Sequence, residues 1–172
     1  TVIRAGKKNF YKIMRILGID PGFERLGIAI LEKNKNDKKE KVIFSECFKT
    51  SPKLDFSKRL NLIGEEIKKI IKEYKPKILS IETLFLNTNQ KTVMRVAEMR
   101  GVAIYEASLS GLEIFEASPP QIKIATTGYG RANKEQMIKM VKILVEIDKN
   151  KTSDDELDAI AIAITAFAHK RN

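Results

Sequence analysis

A chain of 172 residues, 43% hydrophobic and 31% charged, has the size and balance of one globular domain and needs neither a disulfide nor a structural metal to bury a core. Its single cysteine, Cys47, excludes an intramolecular disulfide and points to a reducing compartment, the cytoplasm, while no apolar run reaches the ~18 residues of a membrane span. The net charge of +10 suits an anionic polymer such as nucleic acid, although a solvated lysine-rich surface would give the same total.

Residues 1–13 carry Arg4, Lys7, Lys8 and Lys12 with no acid and no clear period, and no signal peptide is recognisable. They read as an N-terminal extension, disordered or derived from upstream, ahead of one domain over 14–172 with Met14 as its natural start. The run Arg15-Ile16-Leu17-Gly18-Ile19-Asp20 reads as a buried strand stopped by Pro21-Gly22. Gly27 to Leu31 and Val42 to Phe48 read as two further strands, and their short links favour antiparallel hairpins. Cys47, inside the third strand, reads as structural. Ser51-Pro52 is expected to open a helix that places Phe56, Leu60, Ile63, Ile67, Ile70 and Tyr74 on one face and stops at Pro76.

Ile78-Leu79-Ser80-Ile81-Glu82 is a short strand following that helix, so it should pair in parallel with the first strand. A long helix over about 90–109 is apolar on more than one side through Val93, Ala97, Val102 and Ala103, which predicts burial in the domain or against another subunit. Leu112 to Phe115 is expected to be the last strand. Asn133 with Gln136, and Ser153 with Glu156, have capping-box spacing for helices near 134–145 and 154–169. Together these elements predict an α/β fold with a five-stranded mixed sheet flanked by helices on both faces.

Chemistry concentrates on carboxylates. Asp20 ends an apolar strand, where ligand-binding groups commonly sit in α/β folds. A turn-forming Asp before Pro-Gly would look the same. Glu82 ends the strand expected to lie beside it, so both acids should emerge at one sheet end. Asp155 and Asp158 share a face of the last helix. Asp154, Asp155 and Glu156 are also what a helix start favours electrostatically. Asp158 is harder to explain that way, because it leads into Ala-Ile-Ala-Ile-Ala-Ile, a stretch that must be sheltered. Carboxylates brought together repel by about 4 kcal/mol per pair at ~4 Å, so they take up protons or bind cations. Oxygen-only ligands select Mg²⁺ or Mn²⁺. His169, the only histidine, reads as a surface residue.

At these residues the sequence resembles the RuvC-type Holliday junction resolvases, from Met14 to about His169. The resemblance rests on Ile16-Leu17-Gly18-Ile19-Asp20-Pro21-Gly22, Ile81-Glu82-Thr83-Leu84-Phe85, Arg100-Gly101-Val102-Ala103-Ile104, and the block from Asp158 to Thr165. It implies an RNase H-like fold, a homodimer, and paired nicking of four-way DNA junctions that leaves 5′-phosphate and 3′-hydroxyl ends. It also implies Mg²⁺ as cofactor, with Mn²⁺ substituting and two ions per site, and a branch-migration complex of RuvA/RuvB type as a further partner. Asp20, Glu82, Asp155 and Asp158 match the family's metal-binding acids, Asp155 being preferred to Asp154 because it lies three before the last block. Phe85 matches an aromatic that stacks on a base, and core packing would explain it equally well. Lys123 and Lys134 match lysines near the scissile phosphate, and Arg131 would belong to a phosphate-contacting loop over 128–131. Other readings stay open: a related nuclease acting on other branched or hybrid substrates, or an inactive junction-binding module. An ATP phosphotransferase of the actin or hexokinase type shares the strand-Asp-x-Gly turn but needs two such domains and a longer chain.

Overall fold

Alternation along the first strand decides which side of the sheet each helix covers. The computed structural model describes residues 13–22, 24–84, 90–148 and 151–171. Strands β1 (Met14–Asp20), β2 (Arg25–Lys33) and β3 (Lys41–Lys49) form the expected antiparallel meander. Helix α1 (Phe56–Tyr74) leads to β4 (Ile78–Glu82), which pairs in parallel with β1 as predicted. Then follow α2 (Gln90–Leu109), β5 (Glu113–Ala117), α3 (Pro119–Thr127), α4 (Lys134–Leu144), β6 (Glu146–Ile147) and α5 (Asp154–Arg171). The strand order is β5-β4-β1-β2-β3-β6.

Successive side chains of a strand point to opposite faces. Ile16 joins the cluster under α3, α4 and α5, while Leu17 and Ile19 join the one under α1 and α2. Both clusters are almost fully buried and consist mainly of aliphatic side chains, the leucines and isoleucines each worth roughly 1.5–3 kcal/mol on burial. Helix α5 is buried all round from Ala159 to Phe167, as its uniformly apolar sequence requires. It lies close on the sheet because Gly18 has no side chain: a Cβ there would collide with the carbonyl oxygen of Ala159 and the side chain of Ala163. Ser80, fully buried on the same face, donates to the Ile162 carbonyl at 2.7 Å.

Four expectations need correction. The sheet has six strands, because residues 146–147 add a two-residue strand beside Lys41 and Val42, too short for any periodicity to reveal. The last long strand begins at Glu113 and runs to Ala117. Ser51-Pro52 opens a turn, and α1 starts only at Phe56. Helix α3 was not expected, although Ser118-Pro119-Pro120-Gln121 has the signature of a helix start: Ser118 and Gln121 form a reciprocal capping box with proline in the first turn. The predicted boxes at Asn133–Gln136 and Ser153–Glu156 both form. Of the residues expected to be sheltered on α2, Val93 and Ala103 are buried with Met99 and Ala107, Val102 is half-buried and Ala97 is exposed, as are Met94, Tyr105 and Leu109. Among the described residues no helix is long and apolar enough to cross a membrane. Residues 1–12 and Phe85 lie outside the described residues.

Candidate active site

One row of residues across the sheet frames the site. Asp20 on β1 is the cross-strand partner of Gly27 on β2, and Gly27 is the partner of Cys47 on β3. On the other side, the parallel register that pairs Ile19 with Ile81 brings Glu82 beside Asp20. Both acids have the parity of Gly18 and Ser80, so both face α5. The first turn of α5 descends on this row. A Cβ on Gly27 would collide with the Asp155 carbonyl oxygen, so the missing side chain is what lets the helix start there.

The acids of that first turn divide their tasks. Glu156 is buried, caps the helix by accepting from the Ser153 backbone and hydroxyl, and also accepts from Ser45 Oγ at 2.7 Å. Asp154 is exposed. Asp155 and Asp158 turn toward Asp20, whose carboxyl is pushed up to about 7, first by burial and then by the charges of Asp158, Glu82 and Asp155, with Lys134 opposing. Glu82 is raised by burial and then by Asp158. Lys134 Nζ donates to Asp158 Oδ2 at 2.5 Å. Burial alone would lower the Lys134 ammonium, but the hydrogen bond and charge of Asp158, with Asp154 and Asp20, raise it instead.

A cavity of about 320 Å³ opens here, lined by Asp20, Glu82, Asp158, Lys123 and Lys134 among others. Three of the sequence-derived acids, from β1, β4 and α5, thus meet as carboxylates in the cavity, with two lysines beside them. Asp155 stands next to the cavity, at the Gly27 side of Asp20. Arg131 is exposed in the loop between α3 and α4 and does not line the cavity. The donor set is oxygen-only, and the Asp20 carboxyl is raised to about 7 first by burial and then by the neighbouring carboxylates. That chemistry fits a hard divalent cation. Among the described residues, no three His, Cys, Asp or Glu groups already stand at ligand spacing around one point; Lys134 and Arg25 carry the counter-charge on Asp158 and Asp155.

Three neighbours escaped the sequence reading. Arg100 Nε donates to the Glu82 carbonyl at 2.9 Å and its guanidinium pairs with Glu116, which anchors the backbone at the end of β4. Arg25 Nη2 donates to Asp155 Oδ2 at 2.5 Å. Cys47, read as structural, directs its thiol at the same oxygen from 3.4 Å. Strand parity alone would have placed Gly27 and Cys47 on the Asp20 face once the hairpin register was known.

Comparison with known proteins bears on the family and the fold. The family model described as "Crossover junction endodeoxyribonuclease RuvC" matches residues 16–166. A protein of that description from Caldanaerobacter subterraneus subsp. tengcongensis is 42% identical over 159 residues, 92% of this chain and 94% of the relative. The structure of Thermus thermophilus RuvC superposes with a TM-score of 0.84 at 26% identity, covering 92% of this chain and 96% of that one. The same protein in complex with Holliday junction substrate gives 0.85, again at 26% identity, over 92% and 95%.

Proposed function

Since the chain belongs to the RuvC family of crossover junction endodeoxyribonucleases, and is therefore an endonuclease that resolves Holliday junctions, we propose that Asp20, Glu82, Asp155 and Asp158 are the acids that hold its divalent cations. The observation that carries this assignment is the convergence of the four on one sheet end, with Asp20 pushed up to about 7 by burial and by the other three. Mg²⁺ is the expected ion, with Mn²⁺ able to replace it and two ions per site. Bound there, such ions polarise the scissile phosphate and stabilise the attacking and leaving oxygens.

The protein's own groups supply the rest. Lys123 and Lys134 share the cavity wall with the acids, so a phosphate entering it meets two ammonium groups, which favour the extra negative charge of the transition state. Arg131, exposed on the loop beyond α3, is placed to touch the DNA backbone outside the cavity. Phe85 follows Glu82 by three residues and is proposed to stack on an unpaired base. The exposed second face of α2, with Met94, Tyr105 and Leu109, supports a homodimer in which each subunit nicks one strand. Cleavage leaving 5′-phosphate and 3′-hydroxyl ends, a RuvA/RuvB-type partner complex and action in the cytoplasm complete the proposal.

The direct test is a synthetic four-way junction incubated with Mg²⁺ or EDTA beside duplex and RNA–DNA hybrid controls. Paired nicks in the junction alone, and only with Mg²⁺, are expected; equal cutting of the hybrid would move the substrate assignment to another branched or hybrid nucleic acid. Binding in EDTA should weaken steeply with salt, by roughly 10³-fold or more between 50 and 200 mM if six or more phosphates are contacted. Salt-insensitive binding would remove the lysines and Arg131 from the interface.

The two neighbouring acids separate cleanly. Asp155→Asn should lower cleavage by at least about 10²-fold, whereas Asp154→Asn, exposed and acting mainly on Lys134, should retain most of the activity. The opposite ranking in a single-turnover assay would reassign the ligand to Asp154.

A further inference from the structure

The Asp155 carboxylate is held from the side opposite Asp20. The register places Cys47 on the far side of Gly27 from Asp20, and Asp155 lies over Gly27 between them. Both contacts to its carboxylate, Arg25 Nη2 at 2.5 Å and Cys47 Sγ at 3.4 Å, fall on Oδ2. Oδ1 has no hydrogen-bond partner among the described residues. Arg25 opens β2 two residues before Gly27 and so projects from the same face.

We propose that Arg25, assisted by Cys47, is a positioning residue for the metal site: it occupies Oδ2 of Asp155 and so presents Oδ1 toward Asp20 and the incoming cation. This role rests on the four-acid assignment made above. A carboxylate that ligates a metal gains from a partner that fixes its orientation, and losing such a partner typically costs about 10–100-fold in metal affinity or activity. One guanidinium nitrogen is engaged in a short, charge-assisted bond to that carboxylate. The Arg25 side chain is 55% exposed, so solvent screens the pair and its contribution to global stability is small. The contact therefore acts chiefly on geometry.

The experiment titrates Mn²⁺ into the full chain without DNA, followed by electron paramagnetic resonance, for wild type, Arg25→Ala, Arg25→Lys, Cys47→Ala and Asp20→Asn. Arg25→Ala is expected to weaken Mn²⁺ binding about 10–100-fold and to raise by a similar factor the Mg²⁺ concentration needed for half-maximal junction cleavage. Arg25→Lys should recover part of the loss, since one ammonium can still reach Oδ2, and Cys47→Ala should show a smaller one, the thiol being a weak donor. Thermal midpoint and junction affinity, both in EDTA, should stay at wild-type values. Unchanged Mn²⁺ affinity in Arg25→Ala would overturn the proposal. So would tighter Mn²⁺ binding, which would make Arg25 a competitor for the site, or a loss confined to junction affinity, which would make it a phosphate contact. If wild type binds Mn²⁺ no better than Asp20→Asn, the four-acid site itself fails, and the role of Arg25 falls with it.

Discussion

Asp20→Asn is expected to lower junction cleavage by at least about 10³-fold while leaving junction binding in EDTA near wild type, and Glu82→Gln should behave alike. The reason is position: Asp20 is the acid on which the charges of Asp158, Glu82 and Asp155 all act. The same substitution should make the cation-free protein more stable. In the folded chain the Asp20 carboxyl lies at about 7, against ~3.9 for an aspartate in an unfolded chain. Between those two pH values the folded state binds more protons than the unfolded one. Stability therefore falls as pH rises from about 4 to about 7 and levels off above that. Asn carries no charge to be desolvated, so Asp20→Asn should gain on the order of a few kcal/mol over wild type at pH 8 in EDTA, and the gain should vanish near pH 4. Saturating Mg²⁺ should close the gap by stabilising only wild type. Melting curves at the two pH values, with and without Mg²⁺, check the sign. A destabilised Asp20→Asn would return Asp20 to the role of a turn-forming residue, and full cleavage activity would remove it from the metal site.

Gly18→Val should be strongly destabilising. Any Cβ at Gly18 meets the Ala159 carbonyl oxygen and the Ala163 side chain, both parts of α5 that have no room to retreat. Overpacking against backbone costs about 3 kcal/mol or more, equivalent to roughly 6–12 °C in thermal midpoint for a chain of this size. Gly101 on α2 is the natural contrast, since a Cβ there meets nothing within 4 Å. Gly101→Ala should raise stability by up to about 1 kcal/mol through helix propensity alone. Equal losses in the two variants would mean that contact with α5 is not what Gly18 protects. Gly27→Ala tests the active-site end of the same interface. It should displace the first turn of α5, and a shift near 1 Å at a reacting group can cost about 10²-fold in rate.

What could be read from sequence follows the strength of each local signal. Strand β4 was legible to the residue because four apolar or small positions, Ile78 to Ile81, lie between the Pro76 stop and an acid. The termini of α4 and α5 were legible because capping boxes are chemical, not statistical, marks. Helix α3 carried the same mark in Ser118–Gln121, but prolines at its first two positions make the segment look like a loop. Strand β6 had no signal, since two residues have no period and pair only because α4 delivers them to the edge of β3. For the site, Asp20 and Glu82 were visible as acids ending buried strands. Asp155 was preferred to Asp154 only through its spacing to the Asp158 block in the family resemblance; the helix phase against the sheet adds that Asp154 is exposed while Asp155 lies over Gly27. Arg25 and Cys47 were invisible for a related reason. Their relation to Asp155 exists only through the register of two hairpins and the landing point of a helix more than a hundred residues later.

That landing point has a consequence for how the enzyme comes into being on the ribosome. Half of the acidic cluster, Asp20 and Glu82, is in place once β4 has joined β1, and the other half arrives with the first turn of α5, which settles onto the bare backbone of Gly18 and Gly27. Until α5 emerges, a nascent chain carries two of the four carboxylates, an uncovered sheet face and no closed cavity. On the four-acid assignment proposed above, the capacity to cut DNA is withheld until α5 has docked, and the mutual repulsion of the acids is postponed to that step, when burial of an apolar helix is there to oppose it.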